Sequence, residues 1–600
     1  MSRSYRLVML MACLLVLQGA YAIDVHFSAS DGGGGVVGIH NSYDVDDGVS
    51  VSGESSASFD GGLEMTNTRS ISGPGDVGVA QEYWGNDYAG MNYVYVRDPA
   101  SIRMSGSTTL TPQTASAYRD VSADSPIPII AVSGVTRDGK SAMQYASVGR
   151  GSLDTRQTTE VNDRVSASQD SQIWGLAPMA FGAAGYMDAN VGPGRATVEG
   201  EGAAAGVVVG PLGEIDCKLS AYTGNSAGAS ADVRRAAGTV GAGAAAGAGN
   251  IDLEIDATSG LFIEGNIEAA AIGMGALGPN SEISGVLRAD TENSAAAVGR
   301  DIKASADDGI AGVLAGAGEL GGGVALAPGT EAFGVGAVGA AFGAVAVGAD
   351  SNVEVGRVAV GIDEDGAGVR GRRIGVSGDA GAGVLAGAGA ISGGGDLIAG
   401  TFVGGAQGAA LVAVAVGPDS NVNIRRVGAG IDDDGAGVRG RRIGVSGDTG
   451  AGVLVGAGGL GGRVDLTAGL FGGGAEGAAL GAVAIGTDSN VNIGRVGADV
   501  GAGGARVRGR MIDVSGADAA GLAAGAGNAE ISGTLLPLAI TQAHAEWSAV
   551  AAGGLVNAGA RASRLAAWTS DGGTGTLDRG LAATGAVNGV WRGSGVWEVP

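Results

Sequence analysis

Two runs of three acidic residues, each followed by a glycine, have the composition of a calcium-binding loop. They occupy equivalent places in a repeated segment: Asp363, Glu364, Asp365 and Asp432, Asp433, Asp434. Calcium prefers several hard oxygen ligands offered by a flexible loop. Isoleucine stands where an EF-hand would place its bidentate glutamate, at Ile374 and Ile443. Two interpretations stay open, a calcium site and a solvated turn. Calcium is the only cofactor that the sequence suggests.

Arginine recurs close behind both acidic runs, as Arg370, Arg372, Arg373 and as Arg439, Arg441, Arg442. If the repeats stack, acidic and basic turns of neighbouring units could form exposed charge ladders. Each such exposed pair contributes only about 0–1 kcal/mol. The functional interpretation is binding of an anionic polymer, and the structural one is surface charge that keeps the repeats in register.

The residues that most catalytic sites require are scarce. Beyond Ala22 the chain has only three histidines, His26, His40 and His544, and one cysteine, Cys217. A Ser-His-Asp triad or a cysteine-built metal site is therefore not expected. We predict that the protein is not an enzyme. A polysaccharide-acting β-solenoid enzyme stays as an alternative, because carboxylates suited to glycoside cleavage are plentiful.

Aromatic side chains concentrate in the region 23–185, which is also rich in serine and threonine. If this region carries a ligand-binding site, the first candidates are Tyr83, Trp84, Tyr93 and Tyr95. A surface polysaccharide is the partner we would expect there.

The elements that must position these residues belong to a long repeat. The tetrapeptide Asp-Ser-Asn-Val begins at Asp350, Asp419 and Asp488, and these equal intervals define a 69-residue repeat. The segment 365–379 recurs without a change at 434–448, whereas the third copy is degenerate. A decayed last copy is typical of a terminal, capping repeat.

Within each unit the apolar residues alternate with period two, as at Val353, Val355, Val358 and Val360. This is the period of a half-buried strand. Glycine, 119 of 600 residues, opposes helix. We predict an all-β fold, a β-solenoid or stacked β-repeat array with an N-terminal β domain and a C-terminal cap. The alternative is a long antiparallel meander of hairpins.

The sequence divides into four predicted segments. Residues 1–22 have a basic start, an apolar run and a small-x-small triplet, which together indicate an export signal cleaved after Ala22. Residues 23–185 form the aromatic β domain, 186–534 the Gly/Ala/Val-rich repeat region, and 535–600 a tryptophan-containing cap or assembly segment. We therefore expect a secreted protein, extracellular or on the cell surface.

The formal charge of −25 limits the partners. An acidic surface repels nucleic acid phosphates and anionic lipid, so we expect neither as a partner. The uncharged stretch 332–349 approaches the length of a membrane helix. Its apolarity comes largely from glycine and alanine, and we predict no membrane span.

Two stretches, 344–352 and 482–490, read Ala-Val-Ala-Val-Gly-Ala-Asp-Ser-Asn and Ala-Val-Ala-Ile-Gly-Thr-Asp-Ser-Asn. They resemble the head repeats of trimeric autotransporter adhesins. That resemblance implies a trimeric left-handed β-roll that binds host matrix. The whole chain is also similar in composition to repetitive Gly/Ala/Ser-rich secreted surface proteins, some of which build sheaths.

These observations together favour a non-catalytic structural protein that associates with itself through stacked β repeats. Glycine- and alanine-faced strands stack tightly, and exposed strand edges invite self-association. The first alternative is a surface adhesin or carbohydrate-binding protein, and the second is the enzyme named above.

Overall fold

The structure is a computed structural model of the chain. It forms two compact units, Met1–Glu292 and Asn293–Pro600. It describes residues 25–597 apart from 29–37, 46–49, 60–62, 74–76, 85–87, 97–100, 112, 127, 138–139, 163, 177, 193–194, 209–213, 224–226, 239–243, 257–261, 274–280, 292–294, 307–310, 314, 326–331, 341, 345, 347–349, 364–365, 380–381, 385, 397–400, 412, 416–418, 433–434, 449, 466–469, 475–476, 483, 486–487, 502–503, 517–518, 521–523, 528–529, 536–537, 555–557, 571–572, 580–581 and 585–586.

The described part of unit 1 consists of strands and their connections. The strands are β1 (Val25–Ser28), β2 (Gly38–Val45), β3 (Ser50–Phe59), β4 (Leu63–Gly73), β5 (Val77–Trp84), β6 (Tyr88–Val96), β7 (Ser101–Leu110), β8 (Ala115–Ser125), β9 (Ile129–Arg137), β10 (Lys140–Val148), β11 (Arg150–Val161), β12 (Val165–Leu176), β13 (Met179–Gly192), β14 (Arg195–Val208), β15 (Glu214–Thr223), β16 (Ala227–Gly238), β17 (Ala245–Asp256), β18 (Phe262–Ala269), β19 (Ala271–Gly273) and β20 (Ser281–Thr291).

Unit 1 alternates hairpins between two antiparallel sheets. Sheet A runs β2-β5-β6-β9-β10-β13-β14-β17, with β18 and β19 both pairing β17. Sheet B runs β3-β4-β7-β8-β11-β12-β15-β16-β20. The chain therefore completes one hairpin in a sheet, crosses to the other sheet for the next, and returns beside the first.

The two sheets of unit 1 pack face to face, with β9 and β10 of sheet A against β8, β11 and β12 of sheet B. Phe181 and Tyr145 of sheet A and Leu153 and Ile173 of sheet B are among the largest buried side chains. In β11 burial alternates along most of the strand, whereas β9 is buried on both faces. Sheet B therefore presents one face to solvent.

Unit 2 contains β21 (Ala295–Ala306), β22 (Gly318–Ala325), β23 (Ala332–Gly339), β24 (Ser351–Asp363), β25 (Gly366–Gly378), β26 (Gly389–Asp396), β27 (Thr401–Gly408), β28 (Ser420–Asp432), β29 (Gly435–Gly447), β30 (Gly458–Asp465), β31 (Leu470–Gly474), β32 (Gly477–Leu480), β33 (Ala484–Ile485), β34 (Ser489–Gly501), β35 (Gly504–Gly516), β36 (Ala519–Ala520), β37 (Ala524–Gly527), β38 (Glu530–Leu535), β39 (Leu538–Gly554), β40 (Ala558–Ser570), β41 (Gly573–Arg579), β42 (Ala582–Thr584) and β43 (Val587–Trp597).

The long repeat of unit 2 adds one hairpin to each of its two sheets. Sheet B runs β21-β24-β25-β28-β29-β34-β35-β40, and β40 pairs both β41 and β42. Sheet A begins β22-β23-β26-β27-β30 and continues through the shorter strands β31–β33 and β36–β38 to β39 and β43. One repeat thus contributes β24-β25 to sheet B and β26-β27 to sheet A.

The repeated Asp-Ser-Asn motif marks the entry into each sheet B hairpin. Asp350, Asp419 and Asp488 all have positive φ angles, of 51°, 56° and 62°. Aspartate tolerates this left-handed conformation because its short side chain can hydrogen-bond locally. The serine that follows each aspartate is buried and begins the strand. The motif therefore turns the chain into sheet B.

The all-β prediction is confirmed for the described residues. The period-two pattern is confirmed as well, because Val353, Val355, Val358 and Val360 are all buried. Every pairing given above is antiparallel, as in the meander of hairpins.

Three further predictions concern the export signal, the segment boundaries and the absence of a membrane span. The predicted export signal lies outside the described residues. The boundaries predicted at 185 and 534 fall within β13 and β38 and stay predictions. No helix long and apolar enough to cross a membrane occurs among the described residues, and part of the stretch 332–349 forms β23.

Candidate functional site

Arginine occupies the same register position on consecutive strands of sheet B in unit 2. Each residue of this arginine row is the direct cross-strand partner of the next, from β21 to β35. The row comprises Arg300, Arg357, Arg372, Arg426, Arg441, Arg495 and Arg510. The backbone register continues it to Arg564 and Arg579. All seven side chains of the row are exposed except that of Arg441, which is partly exposed.

The hairpin turns fix this register. In the second repeat Asp432 faces Gly435 across the turn, and counting back along both strands brings Arg426 opposite Arg441. The adjoining Gly440 points inward. A Cβ atom there would lie 2.6 Å from Cδ1 of Ile443, so the space beneath the row is already filled. The Arg-Gly-Arg pattern therefore places two guanidinium groups outward with a packed core below.

A second line of arginines runs parallel to the arginine row. On each strand it lies two residues closer to the hairpin turn. It contains Arg370, Arg439 and Arg508 on every second strand, and Gly428 and Gly497 on the strands between them. Because glycine has no side chain, gaps separate these arginines. A groove of about 680 Å³ follows the two lines across the strands.

The charges nearest to Arg441 are positive. The pKa of Arg441 is lowered, first by repulsion from Arg495, then by partial loss of hydration, and then by Arg426, Arg425 and Arg442. Among the described residues, no carboxylate forms an ion pair with the arginine row. The row is thus a line of mutually repelling cations.

Opposite charges do pair elsewhere in sheet B. In unit 1 Arg156 is the cross-strand partner of Asp120, and their Nη2 and Oδ2 atoms lie 3.5 Å apart. In unit 2 Lys303 faces Glu354, with Nζ and Oε1 3.6 Å apart. The fold therefore accommodates complementary pairs, and the arrangement of the arginine row is not a general consequence of the sheet.

A different arginine lies in the core of unit 1. Arg119 on β8 is fully buried, and its Nη1 donates to Sδ of Met104 at 3.0 Å. Its Nε and Nη2 have no hydrogen-bond partner in the described structure. Burial lowers the pKa of Arg119 to about 9. Arg119 is therefore an internal charge without a counterion among the described residues, not an accessible site.

The structure describes only the first residue of each predicted acidic run, and places it at the end of a strand next to the hairpin turn. Asp363 faces Gly366 and Asp432 faces Gly435. The other four candidate calcium ligands, Glu364, Asp365, Asp433 and Asp434, lie outside the described residues. Within the described residues no group of three His, Cys, Asp or Glu side chains could hold a metal ion. Calcium binding at the turns stays a prediction.

The predicted charge ladder takes a different form from the one expected. Arg370 and Arg439 face Gly428, and Arg372 faces Arg426, so none of these three pairings joins an arginine to an acid. The reason is the hairpin geometry, which places Asp363 and Asp432 beside the turns and the arginines in mid-strand.

The four candidate aromatic residues lie on two neighbouring strands of sheet A. Tyr93 is buried and Tyr95 is half-buried, both on one face of β6. Tyr83 and Trp84 end β5, and their side chains lie outside the described structure. A ligand site formed by these four residues stays a prediction.

Sequence reasoning singled out the arginines of the Arg-Gly-Arg-Arg motif but missed the other half of the row. A signal was present, because Arg357, Arg426 and Arg495 stand at the same offset from the aspartate of each Asp-Ser-Asn motif. Their alignment with the motif arginines depends on hairpin register, which the repeat alone does not give.

No known protein family, curated protein or solved structure matches this chain. Guanidinium groups donate paired hydrogen bonds to carboxylate, sulfate and phosphate, and they stay charged at any physiological pH. The arginine row can hold a series of anionic groups, and it offers no nucleophile or general base.

Proposed function

We propose that the protein is a non-catalytic structural protein of the cell surface or extracellular space, built to associate with itself through stacked β repeats. The observation that carries this proposal is the repeat geometry of unit 2. Each repeat adds the same hairpin pair, as β24-β25 with β26-β27 and then β28-β29 with β30 and its partners. Such an array lengthens by simple addition.

The packing of the repeats supports a mechanical role. The segments 382–384, 386–388, 409–411, 413–415 and 451–457, which adjoin strands of sheet A, are buried throughout. They consist mostly of glycine, alanine and valine, which allow backbones to approach closely. A densely packed interior has low compressibility and transmits strain. Antiparallel hairpins that return to the same sheet once in every repeat suit a stacked β-repeat array.

The extracellular location rests on the predicted export signal in residues 1–22 and on the resemblance to adhesin head repeats and sheath-type proteins. Self-association is the partner interaction we propose. A trimeric β-roll, as the resemblance implies, is one form that such association could take.

Electron microscopy of the purified chain 23–600 across a concentration series, with and without calcium, tests the proposal. We expect regular rods, fibres or sheets that grow with concentration. Calcium dependence of that growth would identify the acidic turns as ion sites. Discrete monomers at every concentration would contradict self-association. Saturable binding to a matrix, or conversion of a polysaccharide to product, would then favour the adhesin or the enzyme.

A further inference from the structure

The arginine row is arranged as a linear binding site. Adjacent strands lie about 4.8 Å apart, so the six steps from Arg300 to Arg510 span about 29 Å. The second line of arginines lies about 7 Å away along the strands, because it is two residues further on. The result is a narrow positive strip that runs across the strands of one sheet.

The row has an energetic cost within the folded chain. Like charges directly opposite each other on neighbouring strands destabilise a sheet. Here the opposition is repeated at Arg372–Arg426, Arg426–Arg441 and Arg441–Arg495 and continues on both sides. A bound polymer with regularly spaced negative groups would neutralise the row and remove this repulsion.

We infer that the arginine row and the groove beside it bind a linear acidic polysaccharide, one extended chain lying across the strands of sheet B in unit 2. This site is not required by the proposed structural role and goes beyond it. Each guanidinium group can donate two parallel hydrogen bonds to one carboxylate or sulfate group of such a polymer. The spacing of the row sets the spacing of the anions it recognises.

The surroundings of the strip favour a single polysaccharide chain over other polyanions. Asp499 lines the groove, and together with Asp432 it lines an adjoining cavity of about 540 Å³ next to Arg370 and Arg439, on the side of the hairpin turns. A wide polyanion, such as a nucleic acid duplex or a lipid surface, would extend past the strip and meet these acids. Proteins that bind single-stranded nucleic acid stack the bases on aromatic side chains. The described lining of the groove has none.

The test is a titration of the purified chain with polygalacturonate, which carries carboxylates, and with dextran sulfate, which carries sulfates. Neutral dextran and oligothymidine are the comparison polymers. The variant Arg426→Gln/Arg441→Gln/Arg495→Gln removes three neighbouring members of the row. Its matched control, Arg103→Gln/Arg150→Gln/Arg506→Gln, removes three exposed arginines of sheet B outside the row.

We expect saturable binding of at least one acidic polysaccharide, and the stronger of the two identifies the anionic group. The row variant should lose at least about tenfold in affinity, whereas the control should change less than about twofold. Circular dichroism and the unfolding midpoint show that both variants fold. Equal affinity of the two variants, equal binding of neutral dextran, or tighter row-dependent binding of oligothymidine would overturn the inference.

The electron microscopy described above keeps this inference separate from the proposed function. A chain that binds polysaccharide through the row but stays monomeric supports the binding site and contradicts self-association. A chain that assembles but shows equal binding by the two variants supports the structural role and overturns the binding site.

Discussion

Arg426 and Arg441 are direct cross-strand partners in the β28-β29 hairpin, and each also faces an arginine on its other side. Their outward direction follows from the sequence, because the adjoining Val427 and Gly440 point inward. Two cations that the backbone register holds directly opposite each other repel and destabilise the sheet. A binding role for the arginines would explain why the sequence keeps this destabilising pair.

The first prediction concerns that repulsion. The variant Arg441→Gln should raise the midpoint of chemical unfolding at low ionic strength, because it removes a cation whose pKa is lowered mainly by Arg495. Added salt should shrink the gain, since mobile ions screen exposed charges. The control is Arg103→Gln, whose cross-strand partners are Ser72 and Ser122. An unchanged midpoint at low salt, or a gain that salt leaves intact, would refute repulsion within the row.

The second prediction concerns Arg119, the buried cation of unit 1. The variant Arg119→Met should be more stable than the parent by about 1–4 kcal/mol, because it replaces an unpaired buried charge by an apolar side chain of similar length. Guanidinium chloride unfolding at pH 7 measures the difference. The control Arg150→Met, on the exposed face, should change stability by less than about 0.5 kcal/mol. A large loss of stability in Arg119→Met would show that the buried charge has a counterion.

Arg119 also determines how the folding stability of the unmodified protein should change at high pH. Burial lowers the pKa of Arg119 to about 9 in the folded chain, well below its ordinary value. Below pH 9 both states are protonated, and the cost of burying the charge is fully present. Above about pH 9, and up to the ordinary pKa of arginine, the unfolded state binds more protons, so folding stability rises with pH there. We expect the advantage of Arg119→Met to shrink as pH is raised above 9, as measured by paired unfolding curves.

The third prediction concerns Gly435 at the turn of the β28-β29 hairpin. Its φ is +143°, and a Cβ atom there would overlap the backbone oxygen of Val500. The variant Gly435→Ala should therefore lose about 1–3 kcal/mol of stability. At Gly428 the nearest atom to an added Cβ is 3.8 Å away, so Gly428→Ala is the matched control and should be neutral. Thermal unfolding of both variants decides the point, and equal midpoints would contradict the turn geometry.

The strand content and the inward faces could be predicted from single residues. Val353 and Val355 alternate with polar neighbours, and both are buried in β24. Even Arg119 stood in such a pattern, between Ala117 and Val121, although nothing in the sequence says that a charge may occupy the inward face. The alternation of residue types along a strand indicates which of its two faces is buried, and in these strands that local pattern agrees with the structure.

The arginine row could not be predicted in the same way. The acidic and basic segments of neighbouring repeats suggested ladders of opposite charge, but the hairpin register makes Arg370 face Ala359 and brings Arg357 opposite Arg372. Arg372 and Arg426 are far apart in the sequence and are joined only by the pairing of successive hairpins. Register between separate hairpins depends on how the sheets pack, which no local pattern records.

The account rests on successive repeats stacking in register within sheet B. Spin labels at Asn352 and Asn490, with Cys13 and Cys217 replaced by serine, test this by pulsed electron resonance. These positions share one register row on β24 and β34, four strand steps apart. We expect about 19 Å between the labels at Asn352 and Asn490, and about 24 Å when the second label is at Ser515 instead. Distances beyond about 35 Å, or equal for both pairs, would contradict it.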